Sequence, residues 1–247
     1  EIDGGHRFST GLWLDAVRKA LTKLQRQGRT PILVGGTGLY FHALVNGLDE
    51  APPVSEDVRA DVRALVQADG SAALHAKLAE VDPETAARLE PGDRQRVSRA
   101  YEVWLATGKP ISALRGRSGR PVLQTGEWLG VALTPPRARL YGRIDKRFDG
   151  MLVGGAMEEV RALVARDLDP SLPIMKAHGM PWLAAFVRGD MSAEAAAERA
   201  KRDTRRYAKR QFTWIAHQLP FWPRIPNPAI EARMKVILAL YKEIDVQ

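Results

Sequence analysis

Apolar residues recur every three or four positions through most of the chain, and this spacing predicts a mainly helical protein. The spacing predicts helices over residues 11–27, 39–45, 71–81, 94–107, 156–165, 182–187, 193–218 and 229–244. Two further helices are predicted to begin at residues 55 and 83, and a third is predicted to end before residue 154. Two short apolar runs, residues 32–34 and 128–133, lack this period and predict strands instead.

The order of these elements divides the chain into two predicted parts. A helix, a strand and a helix follow one another in the first 45 residues, and that order favours a parallel sheet over hairpins. Residues 51–121 contain only predicted helices and a basic loop at 116–121, and Pro52-Pro53 breaks the pattern before them. We therefore predict an α/β fold whose core, residues 1–50 and 122–247, carries an inserted all-helical domain at residues 51–121.

The first predicted strand runs into a glycine-rich turn, Gly35-Gly36-Thr37-Gly38, and then into a helix. Proteins of the α/β class use a strand, a glycine turn and a helix N-terminus to bring backbone N–H groups up to an anion or a polar ligand. Thr37 would present its hydroxyl at that turn. The turn is neither the G-x-G-x-x-G nor the G-x-x-x-x-G-K-[ST] phosphate motif, and its glycines are equally compatible with a tight turn that binds nothing.

The charge balance adds a candidate partner. The chain has 37 Lys and Arg against 29 Asp and Glu, a net charge of +8 and a pI of about 9.9. This balance predicts a polyanion such as RNA or a phosphorylated substrate, unless the protein is simply basic throughout. There is no cysteine, and the five histidines lack the spacing of a metal site. No apolar run is long enough to cross a bilayer and no signal peptide is visible, so a cytoplasmic location is expected. The sequence carries no signal for the oligomeric state, and a monomer is the default expectation.

Two predicted helices concentrate the positive charge. In the helix at 94–107, arginines three positions apart can clamp phosphates while neighbouring polar side chains hydrogen-bond a base or sugar. These residues are Gln95, Arg96, Ser98 and Arg99. The alternative is a solvated basic face paired with Asp93 and Glu102. In the helix at 193–218, six of the ten residues 201–210 are basic, a density that destabilises a helix without counter-charge and favours a polyanion site.

Four separated segments resemble the tRNA dimethylallyltransferases, the bacterial enzymes that prenylate an adenine beside the anticodon. In family order they are ILVGGTGLY at 32–40, DRQRVSRA at 93–100 with Glu102 and TGKP at 107–110, LYGRI at 140–144 with Met151-Leu152, and TRRYAKRQ at 204–211 with Thr213-Trp214. The segments spread over most of the chain.

The resemblance implies a P-loop-NTPase-like, nucleotide- and ATP-binding α/β core with an inserted helical domain that grips the tRNA anticodon stem-loop. It implies transfer of a dimethylallyl group from dimethylallyl diphosphate to N6 of the adenosine beside the anticodon, with release of diphosphate and help from Mg²⁺. Because N6 is a poor nucleophile, such a reaction needs tight positioning and a base, and the diphosphate needs cations.

The same resemblance suggests roles for individual residues. Thr37 would contact the target adenosine near the catalytic centre. Lys176 would stand near the diphosphate, where the family more often has an arginine, and lysine keeps the charge without the bidentate geometry. Together with the charge pattern, the resemblance predicts tRNA contacts at Thr37, Arg59, Gln95, Arg96, Val97, Ser98, Arg99, Lys201, Arg202, Thr204, Arg205 and Arg206.

Part of the family pattern has no match in these 247 residues: the N-terminal phosphate loop and the aspartate that would follow it as general base. We expect both to lie upstream. Three alternatives stay open. A non-catalytic RNA-binding protein would keep the tRNA contacts without turnover. A prenyltransferase for free adenine nucleotides or a nucleotide kinase would share the core, but neither would need the helical insertion or the basic helix at 94–107.

Overall fold

The structure, a computed structural model, describes residues 2–49, 52–114, 119–227 and 229–244. Its helices are α1 (Thr10–Arg26), α2 (Gly38–Asn46), α3 (Glu56–Val81), α4 (Pro83–Ala86), α5 (Arg94–Thr107), α6 (Arg137–Val153), α7 (Ala156–Ala165), α8 (Met180–Val187), α9 (Ala193–Gln218) and α10 (Ile230–Ile244). Its strands are β1 (Ala132–Leu133) and β2 (Arg224–Ile225), and 3₁₀ turns cover Ile111–Leu114 and Ile174–Lys176.

Two compact units make up the chain. Unit 1 comprises Glu1–Val45 and Val122–Gln247, and unit 2 comprises Asn46–Pro121. Unit 2 contains α3, α4 and α5, and unit 1 contains the two strands with the other helices. Half of the predicted basic loop, residues 116–118, lies outside the described residues.

Local capping signals place the helix ends close to the predicted positions. Ser9 and Ser192 accept hydrogen bonds from N–H groups in the first turns of α1 and α9, each at 3.2 Å. Gly108 ends α5 in the left-handed conformation, with φ of 66°. Gly70, with φ of 83°, breaks α3 between the two helices predicted there. The helical pattern of the sequence is therefore confirmed.

The two strands pair in parallel, with Ala132 opposite Arg224. Of the predicted strand at residues 128–133, only the last two residues join this ladder. Pro223 and Pro226 flank β2, and a proline has no N–H to donate to a ladder, so the pairing cannot extend.

The predicted strand at residues 32–34 is wrong. The segment joins no ladder in the part of the chain that the structure describes, and Ile32 and Val34 are 85% and 90% exposed. Apolar, β-branched side chains stabilise a strand only when a neighbouring strand supplies hydrogen bonds and packing. The segment therefore has strand-like composition without a partner, and Pro31 removes one donor at its start.

The core of unit 1 lies among α6, α7, α8 and α9. It consists of Phe148, Val160, Met180, Leu183, Ala184, Ala196 and Ala200. Beside it, Trp182 of α8 donates its Nε1–H to Asp203 of α9 at 2.7 Å. Small alanine side chains on α9 let α8 pack closely, and this leaves the rest of the α9 surface for polar contacts.

A buried carboxylate organises unit 2, whose apolar core consists of Val62, Val66, Leu74, Leu78, Ala86, Val97 and Ala100. Asp82 is 1% exposed, and it accepts hydrogen bonds from the N–H groups of Thr85 at 3.0 Å and Ser112 at 3.1 Å. Burial raises the pKa of Asp82, but the hydrogen bonds from Ser112 and Thr85 outweigh it, so the pKa lies below its ordinary value. Asp82 thus caps α4 and holds the 3₁₀ turn at Ile111–Leu114.

We expect Asp82→Asn to destabilise the protein by about 1–3 kcal/mol at neutral pH, because a neutral amide replaces the charged acceptor of two buried N–H groups. Since the folded-state pKa is depressed, the carboxylate contributes fully above the unfolded value of 3.8 and its contribution is lost as the pH falls through the lower folded value. Urea unfolding at several pH values checks this, with Glu80→Gln on the exposed side of α3 as the control. Equal stability of wild type and Asp82→Asn at neutral pH would contradict this role.

Candidate active site and nucleic-acid interface

The glycine-rich turn at residues 35–38 is seated on the C-terminal half of α9. Gln211 donates its Nε2–H to the Gly36 carbonyl at 2.7 Å. A Cβ added to Gly36 would overlap the Gln211 amide, and one added to Gly38 would overlap the ring of Trp214. Close packing therefore requires glycine at both positions. The turn is a fixed structure and not a loose loop.

A cleft of about 270 Å³ opens at this turn. Aromatic rings from Trp13, Tyr40 and Phe41 line it, and the exposed Thr37 stands at its edge. Trp13 stacks on Tyr40 with ring centroids 4.6 Å apart and planes at 21°. Flat aromatic walls with one hydroxyl suit a planar, polar-edged ligand such as a nucleobase.

Aromatic contacts on two sides orient α2, the helix that begins at the turn. Phe41 meets Trp222 edge-on at 5.9 Å, and Trp222 packs against Trp128 at 5.5 Å, beside the strand pair. On α9, Trp214 packs edge-on against His42 at 6.0 Å. Because α2 is held from both sides, the position of Thr37 just before its first turn is set by packing.

Lys176, the predicted diphosphate contact, is exposed at the end of the 3₁₀ turn Ile174–Lys176. The next residues of this loop reach α9, where His178 packs on Tyr207 with ring centroids 4.4 Å apart. Tyr207 and Gln211 are four residues apart on α9, about 6 Å along its axis. The loop of Lys176 and the glycine-rich turn therefore contact one face of the same helix.

The charge of the Lys176 loop comes from the lysine alone. Burial lowers the pKa of His178, the positive charge of Arg210 lowers it further, and Asp203 opposes both. The imidazole is therefore neutral at neutral pH. A ligand anion at this loop would meet one fixed cation and an uncharged ring.

Two of the predicted tRNA contacts on α9 point inward to α6. Lys201 binds Asp149 and Arg205 binds Asp145, each at 2.6 Å, and the Lys201 side chain is only 13% exposed. The counter-charge expected for this basic helix is therefore partly supplied by the protein itself. These pairs join α9 to α6, so RNA contacts by Lys201 and Arg205 would have to compete with them.

Two other predicted contacts on α9 point to solvent. Arg202 is exposed and has no ion pair among the described residues, and Arg206 lies 3.6 Å from Asp203 with 64% of its side chain exposed. They are four residues apart and share one side of the helix. Thr204 is half-buried and donates its hydroxyl to the Ala200 carbonyl at 2.9 Å within α9.

In unit 2 the structure brings Arg59 and Arg99 together around Glu102. Arg99 lies 3.7 Å from Glu102 and donates to the Pro52 carbonyl at 3.2 Å. Burial lowers the pKa of Arg99, Glu102 raises it and Arg59 lowers it, so the two arginines repel each other. Burial also raises the pKa of Glu102. Arg59 also lies 3.6 Å from Glu56, so carboxylates partly compensate both arginines and an RNA phosphate would have to compete with them.

The motif at the start of α5 splits between surface and core. Gln95 and Arg96 are exposed, Ser98 is half-buried, and Arg96 binds Asp93 one turn away. The predicted tRNA contact by Val97 is wrong for its side chain, which is 0% exposed in the core of unit 2 and is not available to RNA. Its place in the family motif follows from packing, because one position in a helical surface motif faces inward at each turn.

Comparison with known proteins identifies the chain. Residues 1–218 match the family described as IPP transferase. The tRNA dimethylallyltransferase of Hyphomonas neptunium is 60% identical over 244 residues, which cover 99% of this chain and 77% of that protein. The chain belongs to the IPP transferase family. The tRNA dimethylallyltransferase of Beijerinckia indica is 52% identical over 229 residues, covering 92% of this IPP transferase and 76% of that protein.

Solved structures agree with this assignment. The crystal structure of a tRNA isopentenylpyrophosphate transferase from Bacillus halodurans aligns with a TM-score of 0.62 and 30% identity, over 99% of this chain and 76% of that one. A eukaryotic dimethylallyltransferase acting on tRNA shares the fold, with a TM-score of 0.66 at 24% identity, over 87% and 54% of the two chains. The predicted family and the predicted α/β, P-loop-NTPase-like fold class are confirmed.

Within the described ranges, no three or more histidine, cysteine, aspartate or glutamate side chains are grouped so that they could hold a metal ion. No helix in those ranges is long and apolar enough to cross a membrane.

Sequence analysis missed the residues that support the site. Gln211 and Trp214 lie in a segment that carries the resemblance, but their contact with the glycine-rich turn needs the fold to be seen. Trp13 lies on the apolar side of the first predicted helix, and its stacking on Tyr40 has no local signal. Long-range contacts of this kind leave no periodic trace in a single sequence.

We expect Gly38→Ala to destabilise the protein by about 1–3 kcal/mol, because the added methyl group overlaps the Trp214 ring and forces the turn or α9 to shift. Thermal unfolding measures the effect. The control is Gly11→Ala in α1, where the new Cβ would make an ordinary contact of 3.7 Å with Ser9. A Gly38→Ala protein that melts with wild type would show that the turn does not pack on α9 as described.

Proposed function

We propose that this IPP transferase transfers the dimethylallyl group of dimethylallyl diphosphate to N6 of the adenosine beside the tRNA anticodon. The observation that carries the proposal is the cleft at the glycine-rich turn, where Thr37 stands among three aromatic rings on a rigid support. The name of the relatives, tRNA dimethylallyltransferase, supports the same reaction.

The proposed chemistry makes one bond and breaks one. The N6 lone pair attacks C1 of the dimethylallyl group, the bond from C1 to the diphosphate oxygen breaks, and diphosphate leaves with that electron pair. N6 loses a proton, which is released to solvent. The rings of Trp13, Tyr40 and Phe41 receive the adenine after it leaves its stack, and the Thr37 hydroxyl hydrogen-bonds its polar edge. Lys176 attracts the diphosphate. Holding N6 against C1 is the main contribution of such a cleft.

Mg²⁺ is the cofactor expected for this reaction, because it binds diphosphate oxygens and often takes only one or two protein carboxylates. The described residues contain no group of three or more side chains able to hold a metal. We therefore assign no residue of this chain to the ion.

tRNA binding is proposed to use both units. Residues 1–50 and 122–247 would form the catalytic domain and residues 51–121 the domain that grips the anticodon stem-loop. In unit 1 the exposed Arg202 and Arg206 are suited to phosphates, with Thr204, Lys201 and Arg205 behind them. In unit 2 the proposed contacts are Arg59, Gln95, Arg96, Ser98 and Arg99. A cytoplasmic monomer is expected, because tRNA is found in the cytoplasm and a single chain carries all these residues.

We expect Thr37→Val to reduce dimethylallyl transfer by on the order of tenfold to 100-fold while leaving the melting temperature unchanged, since valine keeps the shape and removes the hydroxyl. The assay incubates the full-length gene product with dimethylallyl diphosphate, Mg²⁺ and an adenosine-bearing anticodon stem-loop, and mass spectrometry detects the added group. Thr22→Val, the same change on exposed α1, is the control.

Two outcomes would contradict this proposal. Equal transfer by wild type and Thr37→Val would remove Thr37 from the site. Binding of the stem-loop by wild type without any product would instead favour the non-catalytic RNA-binding protein.

A further inference from the structure

Helix α6 carries an exposed basic face that none of the roles above uses. Its members are Arg139, Arg143, Lys146 and Arg147, all exposed. At about 100° per residue they fall within an arc of about 100°, on the side of the helix away from the buried Ile144 and Phe148. Arg143 also lies in one of the segments that carry the family resemblance, where sequence analysis gave it no role.

The acidic residues of α6 do not neutralise this basic face. Asp145 and Asp149 point to the neighbouring helix and bind Arg205 and Lys201 of α9. Among the described residues, no carboxylate lies within ion-pair distance of any member of the basic face. The face is therefore a strip of uncompensated positive charge, created because α9 takes both carboxylates.

The basic face reduces the stability of its own helix. Arg143 has like-charged neighbours four positions before and after it, and such pairs destabilise a helix. Gly150 lies within this arc and Gly142 beside its edge, and a Cβ at either would meet nothing within 4 Å. Glycine inside a helix is less stable than alanine, so packing within the protein explains neither glycine. A polyanion that lies close along this side of α6 would neutralise the like charges around Arg143 and would occupy the space left by the glycines.

We propose that the basic face of α6 binds the phosphate backbone of RNA and is an additional contact surface for the tRNA substrate. This inference rests on the proposed function, which supplies the RNA. Arg139 and Arg147 are eight residues apart, about 12 Å along the helix, which is long enough for successive phosphates of one strand. Guanidinium groups bind phosphate oxygens in a bidentate way, and the glycines let the strand approach the helix backbone.

The chemistry of the basic face favours RNA over a membrane surface. A helix that lies on a membrane inserts its apolar side into the lipid. The apolar side of α6, with Ile144 and Phe148, is buried in unit 1. Between Arg139 and Gly150 the exposed side of α6 carries four cations and two glycines, and its one acidic residue, Asp149, is paired with Lys201 of α9. A cationic stripe of this kind is the footprint expected for phosphate contacts without base readout.

The first test compares two matched double variants of the whole protein. R143Q/R147Q removes two charges from the basic face. K19Q/K23Q removes two charges, also four residues apart, from the exposed side of α1 in the same unit. The dissociation constant for an unmodified tRNA transcript is measured at several salt concentrations, and thermal unfolding checks that each variant is folded.

We expect R143Q/R147Q to weaken tRNA binding on the order of tenfold at about 0.1 M salt and to reduce the slope of log K against log salt by about 1.4 to 1.8, because two phosphate contacts are lost. K19Q/K23Q should keep the slope of wild type. Equal losses in both variants would overturn the proposal in favour of a general charge effect, and no loss in R143Q/R147Q would overturn it directly.

Gly142→Glu gives an independent test. The new carboxylate would lie one turn from Arg139 and Lys146, and the charge of Asp145, also one turn away, is paired with Arg205. Because glutamate also has a higher helix propensity than glycine, the change should stabilise α6 and raise the melting temperature. If the basic face binds RNA, the same variant should also weaken tRNA binding on the order of tenfold, a loss that a purely structural role would not produce. A more stable variant that binds tRNA as wild type does would refute the proposal.

The same samples separate this inference from the proposed function. Normal dimethylallyl transfer with unchanged tRNA affinity in R143Q/R147Q would refute only the inference. Salt-dependent binding lost in R143Q/R147Q, with no transfer by wild type, would support the inference and refute only the proposed function. If wild type binds no tRNA, the basic face is not an RNA surface. Binding to vesicles of anionic lipid is measured as well, and if R143Q/R147Q loses only this binding, the basic face is again not an RNA surface.

Discussion

The two ion pairs between α6 and α9 determine how charge is distributed over unit 1. Lys201 and Arg205 of α9 bind Asp149 and Asp145 of α6, and these pairs decide which charged side chains each helix presents to solvent. Partly exposed pairs of this kind contribute little to the free energy of unfolding, about 1 kcal/mol or less. Their main effect is orientation. By taking both carboxylates of α6, they leave one strongly basic side on that helix and direct the remaining cations of α9 to solvent.

Helix α9 also connects the parts of the candidate active site. In its N-terminal half one face packs on α8 through alanines, and further along the same face carries Tyr207, Gln211 and Trp214. The loop of Lys176 and the glycine-rich turn both contact this C-terminal part of the face. A site built on a helix holds its groups more rigidly than one built on loops alone, and transfer to a weak nucleophile depends on such positioning. The family motif around residues 204–214 therefore supports the cleft as well as carrying the proposed RNA contacts.

Unit 2 shows how a contiguous motif divides between packing and contact. Residues 95–99 follow one another in sequence, but the period of the helix sends Val97 into the core and leaves Gln95 and Arg96 in solvent. Arg59 and Arg99 repel each other, and the negative charge of Glu102 attracts both. Asp82 fixes the end of α3 and the 3₁₀ turn at Ile111–Leu114 through buried hydrogen bonds, so the frame that presents these arginines is set by a polar group and not by apolar packing alone.

The sequence by itself determined what depends on neighbours a few residues apart. Helix starts at Ser9, Asp93 and Ser192, the end of α5 at Gly108 and the family motifs all have local signals, and all were predicted. Tertiary structure decided what depends on distant partners. Residues 32–34 have strand composition but no strand beside them, and the two residues of β2 are too few for any periodicity to show. The ion pairs of Lys201 and Arg205, and the contacts of the glycine-rich turn with Gln211 and Trp214, join residues that only the folded chain brings together.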